Sequence, residues 1–250
     1  METTKKHALT TPENDLQISM SNAVARSAQG LSLFEKRTVA LAMAKTDSMS
    51  AQVLHKASLQ GWSVKLNALD YAESWQIAPK NAYVQLKEAT EALMHRQAAF
   101  KTETRRGQKI TRINWCGQSV YHEGEGWVEI SFTPQIAPHL LGLRTKFTSY
   151  KLAQAGALRS LYAWRLLELF TSWQDKGRWV VDVEDFADAV EAPESYRKNF
   201  KELRTRIIEP AIKELTEKDN WLIDWQPVKA GRRVAALHFT FKRNPQQSLL

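Results

Sequence analysis

A degenerate repeat is the feature that most constrains how this chain can fold. The segment Asp70–Glu73 reads Asp, Tyr, Ala, Glu, and the segment Asp185–Asp188 reads Asp, Phe, Ala, Asp. Both segments lead to an Ala-Pro pair, a tyrosine and a Lys-Glu pair: Ala78-Pro79, Tyr83 and Lys87-Glu88 in the first copy, Ala192-Pro193, Tyr196 and Lys201-Glu202 in the second. Because these matches occur in the same order, the sequence predicts two halves of similar fold.

The hydrophobic spacing predicts the same order of elements in both halves. The first half begins with a long helix near Ser32, where Glu35 three residues later completes a capping box. The corresponding helix of the second half is predicted over roughly Ala157–Trp173. Short strands follow at Trp62–Leu66 and Trp179–Val183. Each half then continues with a short helix, a turn that carries the Ala-Pro pair, and a second helix.

Each half is predicted to contain a β-hairpin with a basic tip. The hairpin strands are Gln97–Glu103 with Ile110–Cys116, and Trp221–Pro227 with Val234–Lys242. Helix, strand, helix, turn, helix and hairpin is the order of a winged helix. The predicted fold class is therefore α+β, with two tandem winged-helix domains over residues 1–143 and 144–250. The join lies near residues 141–148, after an additional strand, Trp127–Phe132, and a short helix from Pro134.

Composition favours a polyanionic partner in a reducing compartment. The 250 residues carry a net charge of +8 with a pI of about 9.5, which draws a protein towards nucleic acid or an anionic membrane surface. The single cysteine, Cys116, excludes an internal disulfide. No apolar run is long enough for a membrane span, and the polar start over residues 1–30 has no signal core. We therefore expect a cytoplasmic protein with no membrane contact.

The helix after Pro193 is the predicted DNA-reading element. Its apolar positions, which should face the core, are Phe200, Leu203, Ile207, Ala211 and Leu215. The opposite face offers side chains that can bind base edges and phosphates in the major groove: Arg197, Lys198, Asn199, Lys201, Glu202, Arg204, Thr205 and Arg206. A solvated charged face is the alternative. Pro210 should end or kink the helix near Glu209 and so separate a DNA-facing part from a packing part.

The hairpin tips and the first half supply further candidates. At the tip of the second hairpin, Lys229, Arg232 and Arg233 should contact phosphates or the minor groove. The basic residues of the first half are Lys80, Asn81, Lys87, Arg105, Arg106 and Lys109. The second helix of that half is more apolar, with Val84 and Leu93 among its residues. It either binds DNA or packs against a partner chain.

Signals of catalysis are weak. The chain has no phosphate-binding P-loop, and Gly124–Gly126 is interpreted as a turn. The six histidines are scattered, so neither a metal site nor the paired histidines of a nicking enzyme is predicted. Tyr83 and Tyr196 are interpreted as core or helix-face residues, and Cys116 as an inert core thiol. We therefore predict no catalytic residue, no cofactor and no metal.

In several segments, the sequence resembles the iteron-binding initiators of plasmid replication. The segments that carry the resemblance are Leu31–Arg37, Phe147–Leu152, Ala163–Leu169, Ser195-Tyr196 and Lys229–Arg233. It covers roughly Asn22 to Arg243. The short N-terminal arm and the brief tail after Arg243 depart from longer members, so partner contacts through such tails are not carried over to this sequence.

The resemblance implies a protein that binds direct repeats at a plasmid origin as a monomer. It further implies a homodimer, formed through the N-terminal domain, that binds an operator and represses its own gene, and recruitment of host initiator and helicase proteins. Site residues carry over most firmly to Arg197–Arg206. A winged-helix transcriptional repressor without origin function is the alternative, and a DNA-nicking enzyme is a third hypothesis.

Overall fold

Helices and short antiparallel strands alternate along the chain in the computed structural model, which describes residues 16–122, 124–141 and 146–244. The elements up to residue 140 are β1 (Gln17–Ser21), α1 (Asn22–Arg26), α2 (Leu33–Ala44), a 3-10 turn (Lys45–Ser48), α3 (Ala51–Gln60), β2 (Trp62–Asn67), α4 (Ala68–Trp75), α5 (Pro79–Leu93), β3 (Gln97–Thr104), β4 (Gly107–Asn114), β5 (Cys116–His122), β6 (Trp127–Phe132) and α6 (Ala137–Leu140). Those from residue 147 are β7 (Phe147–Lys151), α7 (Leu152–Ala157), α8 (Leu161–Ser172), β8 (Arg178–Asp182), α9 (Val183–Ala189), α10 (Glu194–Arg197), α11 (Phe200–Leu203), a π-helical turn (Arg204–Ile208), α12 (Glu209–Asp219), β9 (Trp221–Ala230) and β10 (Arg233–Arg243).

The start of α2 is fixed by the capping box that the sequence predicts. The Ser32 hydroxyl accepts a hydrogen bond from the Glu35 amide at 3.3 Å, and the Glu35 carboxylate accepts one from the Ser32 amide at 2.9 Å. Arg96, which precedes β3, donates two further bonds of 2.9 Å to the same carboxylate. One glutamate thus caps α2 and ties it to the start of the first hairpin.

The predicted helix over Ala157–Trp173 corresponds to α8, which begins later than predicted. The helix α7 ends at Ala157, and α8 begins at Leu161 after Ser160, whose hydroxyl accepts bonds from the Tyr162 and Ala163 amides. Leu158 is buried but lies outside both helices. The apolar spacing continues through the break because both helices pack on one core, which is why periodicity alone predicts a single helix.

The two three-stranded sheets confirm the internal repeat and the winged-helix fold. Their strand orders are β2-β6-β5 and β8-β10-β9, and all pairs are antiparallel. In both sheets, the strand that follows the long helix pairs with the second strand of a hairpin. The counterpart of the β9–β10 hairpin is therefore β5–β6, and the predicted equivalence with the hairpin over residues 97–116 is wrong. The β3–β4 hairpin forms a separate two-stranded ribbon.

A pair of short strands joins the two halves of the chain. Strand β1 pairs antiparallel with β7, with Ser19 opposite Ser149 and their hydroxyl oxygens 3.0 Å apart. Each half therefore opens with a strand, a short helix and a long helix, so the repeat extends further than the sequence indicates. The boundary predicted between residues 143 and 144 falls in the segment 142–145, outside the described residues.

A buried ion cluster lies where α2 and α8 meet. The carboxylate of Glu168 is fully buried and lies 2.7 Å from the Lys36 ammonium and 2.6 Å from the Arg165 guanidinium. It also accepts bonds from the Tyr150 hydroxyl at 2.9 Å and the Gln29 amide at 3.0 Å. Burial lowers the pKa of Lys36 to about 8, in spite of the nearby carboxylate. Burial acts to raise the pKa of Glu168, but the two cations outweigh it and leave that pKa below its ordinary value.

We expect Glu168→Gln to lower the free energy of unfolding by about 3–5 kcal/mol, because Lys36 and Arg165 then stay buried without a counter-charge. Urea denaturation at neutral pH measures the change. The exposed-face substitution Glu217→Gln is the control and should change stability little. Equal stability of the two variants would contradict the role assigned to the cluster.

Candidate nucleic-acid interface

The predicted DNA-reading helix starts later than its proline suggests. The short helix α10 ends at Arg197, and the chain turns at Lys198 before α11 begins. Asn199 caps that start, since its side-chain oxygen accepts a bond of 2.9 Å from the Lys201 amide. The positions predicted to face the core are buried, except that Phe200 is half-buried against it: Leu203, Ile207, Ala211 and Leu215 are fully or almost fully buried.

The opposite face presents a compact group of charged side chains to solvent. Lys201, Arg204, Thr205 and Arg206 are exposed, and Glu202 is half-buried. The Arg206 guanidinium lies 3.4 Å from the Glu202 carboxylate, and that of Arg204 lies 3.3 Å from the Glu209 carboxylate. The side chains of the two arginines are 65% and 48% exposed, so both remain within reach of a ligand.

Arg197 lies at the end of α10, before the turn that leads to that face. Its guanidinium donates to the carbonyl oxygens of Ala192 at 2.7 Å and Ala187 at 3.2 Å and forms an ion pair with Asp188. The side chain is only 24% exposed. Burial opposes ionisation of Asp188, but Lys101 and Arg197 bonded to its carboxylate hold its pKa below the ordinary value. Arg197 thus fastens the turn between α9 and α10, and each of its three guanidinium nitrogens donates a hydrogen bond within the protein.

Pro210 does not end the helix, which is one of the two outcomes predicted for this residue. Backbone angles stay helical from Leu203 to Glu209, and α12 continues to Asp219. The helix instead widens just before the proline into the π-turn Arg204–Ile208. Proline removes a hydrogen bond and crowds the carbonyl four residues earlier, and a wide turn is one way for a helix to pass such a site.

The hairpin of the second half carries its predicted basic tip. Strands β9 and β10 close with Ala230 opposite Arg233. Gly231 in the turn has φ +63, a left-handed conformation that favours glycine. The predicted tip residues Lys229, Arg232 and Arg233 are all exposed.

In the first half, the predicted residues lie on three different elements. Lys80 and Asn81 are exposed in the first turn of α5. Lys87 is half-buried, with its ammonium 4.1 Å from the centre of the Tyr121 ring on β5. Val84 is exposed on the same helix, so α5 still suits either DNA or a partner chain.

The basic tip of the first half belongs to the β3–β4 ribbon and not to the β5–β6 hairpin, which is the wing of that half. Arg105, Arg106 and Lys109 are exposed at the end of the β3–β4 ribbon. Lys101, on the same ribbon, forms an ion pair with Asp188 of the second half.

The wing of the first half, β5–β6, instead turns through Gly124–Gly126, as predicted for that segment. Glu125 in this turn accepts a bond of 2.6 Å from the Trp127 indole, and the Lys65 ammonium lies 3.6 Å from the Trp127 ring. Sequence reasoning missed Lys65, because only the sheet pairing brings β2 next to the wing.

The remaining candidates for chemistry are built into the core. Cys116 is buried, and burial raises the pKa of its thiol to about 12, which makes it a poor nucleophile. Tyr83 and Tyr196 are half-buried against the core. Across residues 16–122, 124–141 and 146–244, no group of His, Cys, Asp or Glu could hold a metal ion. The same residues include no helix with the length and apolar character of a membrane span.

Comparison with known proteins gives consistent matches along the chain. Residues 17–171 match the family described as Initiator Replication protein, WH1, and residues 182–241 match Initiator Rep protein, WH2. An uncharacterized 27.6 kDa protein of Escherichia coli is 27% identical over 233 residues, which are 92% of this chain and 96% of that protein. A replication initiation protein of Escherichia coli is 26% identical over 187 residues, 72% of this chain but only 56% of that protein.

A solved structure shares the fold. The crystal structure of the Pi initiator protein in complex with iteron DNA superposes with a TM-score of 0.73 and 20% sequence identity, covering 93% of this chain and 99% of that chain.

We expect Arg197→Ala to lower the free energy of unfolding by about 1–3 kcal/mol, because the Ala192 carbonyl loses the guanidinium that donates to it, and the Ala187 carbonyl and Asp188 each lose one of their donors. Thermal and urea denaturation measure this effect. Lys198→Ala is the matched control, since Lys198 is 72% exposed and pairs with the exposed Glu194. Unchanged stability in the Arg197 variant would return this arginine to the candidate interface.

Proposed function

Since the chain belongs to the family of initiator replication proteins, we propose that it binds short direct repeats in double-stranded DNA at a plasmid origin and starts replication there. The observation that carries the proposal is that the same half presents an exposed basic helix face at residues 201–206 and an exposed basic hairpin tip at residues 229–233. The Pi initiator, which has the same fold, is described in complex with iteron DNA.

The geometry suits two kinds of contact with the duplex, one from the helix and one from the wing. A helix of this kind enters the major groove, where arginine can donate two hydrogen bonds to a guanine edge. Arg204 and Arg206 are the side chains best placed to do so. Lys229, Arg232 and Arg233 on the exposed tip of the wing would contact phosphates, which set affinity and register. We leave Arg197 out of the reading surface, and Asn199 contributes mainly by capping the helix.

The first half would supply auxiliary contacts and self-association. Lys80, Asn81, Arg105, Arg106 and Lys109 are exposed and basic or polar, and Val84 offers apolar surface on α5. We propose that monomers fill the repeats and that dimers formed through residues 1–143 bind an operator and repress the gene. Host initiator and helicase proteins would join at the origin, in the cytoplasm of a bacterium, and the chain itself would act without catalysis.

A repressor without origin function would need the same DNA-reading surface. The arrangement of binding sites separates the two hypotheses, because tandem repeats spaced by about two helical turns favour an initiator and a lone palindrome favours a repressor.

The decisive experiment titrates the purified protein onto a labelled duplex that carries the repeats beside its own gene, with random duplex as competitor, at two salt concentrations. Binding that survives the competitor and stays selective as salt rises supports the proposal, and successive shifted bands count the filled repeats. Binding that random DNA removes and that collapses with salt would leave only a basic surface and would refute the proposal.

We further expect Arg206→Ala to weaken binding to the repeats by about 1–3 kcal/mol with little effect on random duplex, since a base contact is lost. Arg233→Ala should weaken binding to both duplexes alike and reduce the salt slope by about one ion. Fluorescence anisotropy on both duplexes measures the two effects. Equal losses on repeats and random DNA for both variants would contradict the division of labour between helix and wing.

A further inference from the structure

The turn Arg204–Ile208 departs from regular helix geometry at the centre of the candidate interface. The Glu209 amide donates to the Arg204 carbonyl, five residues earlier, whereas an α-helix bonds residues four apart. Pro210 follows directly and has no amide hydrogen to offer the Arg206 carbonyl. Ile207 and Ile208 are adjacent in sequence and both fully buried. The π-turn therefore places one more residue on the buried face of the helix than regular α-helical spacing would.

The wide turn also decides which partner Arg204 can reach. The Arg204 guanidinium lies 3.3 Å from the Glu209 carboxylate, and these residues are five positions apart. In an α-helix, side chains three or four positions apart are neighbours, whereas positions five apart point in different directions. In a π-turn, backbone hydrogen bonds join positions five apart, which brings these side chains closer to each other than they are in an α-helix. The Arg204–Glu209 pair therefore depends on the π-turn, unlike the Arg206–Glu202 pair, which has ordinary four-residue spacing.

We propose that Glu209, aligned by the π-turn before Pro210, positions Arg204 and makes it a determinant of sequence selectivity. The inference rests on the proposed DNA-binding function. On random DNA, Arg204 meets mainly phosphates. In a phosphate contact, the phosphate replaces the Glu209 carboxylate as the anion next to Arg204. The same contact brings the negatively charged Glu209 close to the negatively charged DNA. A guanine edge in the correct place accepts two directed hydrogen bonds and compensates for the lost ion pair. Glu209 therefore weakens binding to random DNA more than binding to the matched repeat.

The test compares Glu209→Gln with Glu217→Gln in the full-length protein. Glu217 lies on the same helix, α12, is exposed, and pairs with Lys213, so its substitution makes the same change in net charge without touching either arginine. Anisotropy titrations use the repeat duplex and a random duplex of equal length, at several salt concentrations.

For Glu209→Gln, we expect affinity for the random duplex to rise about threefold to fivefold and affinity for the repeat duplex to change less than about twofold. The salt slope on random DNA should steepen by about one ion, because Arg204 becomes free to contact a phosphate. Glu217→Gln should change both affinities by one common factor.

Pro210→Ala tests the π-turn separately from the carboxylate. Alanine restores the amide hydrogen, so the helix can close into regular α geometry and separate Arg204 from Glu209. We expect the ratio of repeat to random affinity to fall as in Glu209→Gln, with helix content by circular dichroism retained. The double variant should show no further fall, because both changes remove one interaction.

The outcomes separate the inference from the function on which it rests. If the wild-type protein prefers the repeat and Glu209→Gln keeps that preference to the same degree as Glu217→Gln, the inference is overturned and the proposed function stands. If the wild-type protein itself shows no preference, the proposed function is overturned and the inference with it. A Pro210→Ala variant that fails to fold leaves the decision with the Glu209 comparison.

Discussion

The buried carboxylate of Glu168 is the point on which the relation between the two halves depends. Lys36 reaches it from α2, and Arg165 from the preceding turn of α8. Arg165 also donates to the carbonyl oxygens of Ser27, after α1, and Ala189, at the end of α9. These groups come from both halves, and their charges are costly to bury unless all of them are in place. The cluster therefore favours one relative placement of the halves, and with it one placement of the helix at residues 200–208.

The second half combines a rigid base with an exposed tip. Phe170 on α8 stacks against Phe241 with ring centres 4.4 Å apart, and Phe239 on the same strand lies 5.6 Å from Phe186. These rings anchor β10 and the helices against each other, while residues 229–233 beyond them are all exposed. Such an arrangement suits a reader of DNA, because the helix needs a fixed direction and the wing needs to adapt to the backbone.

Local signals in the sequence were sufficient for most elements and for the fold class. The capping box forms the predicted hydrogen bonds between Ser32 and Glu35, and the strand Trp127–Phe132 has the predicted bounds. Both were predictable because helix caps and alternating strands depend on a few neighbouring residues. The pairing of strands is a long-range property. The basic tip of the β3–β4 ribbon indicated exposure correctly, but exposure does not reveal which hairpin joins β2 in a sheet.

The candidate site shows the same division. Lys201, Arg204, Thr205 and Arg206 lie on an exposed face, as helical spacing predicts. Arg197 has the same local signal but folds back onto two carbonyl groups, which only tertiary structure brings within reach. The π-turn left no sequence mark other than Pro210, and that residue suggested a kink. Whether the exposed side chains meet bases remains a prediction.

The pairing of β1 with β7 has a consequence for synthesis of the protein on the ribosome. Ser19 of β1 and Ser149 of β7 face each other but are 130 positions apart in the sequence. Strand β1 therefore leaves the ribosomal exit tunnel on the order of ten seconds before β7 does. During that interval, the edge of β1 that pairs with β7 has no native partner, although β1 can already pack against α2 and α6. Nascent chains are therefore most exposed to mispairing and to chaperones before residue 151 emerges, even though most contacts of the first half can already form.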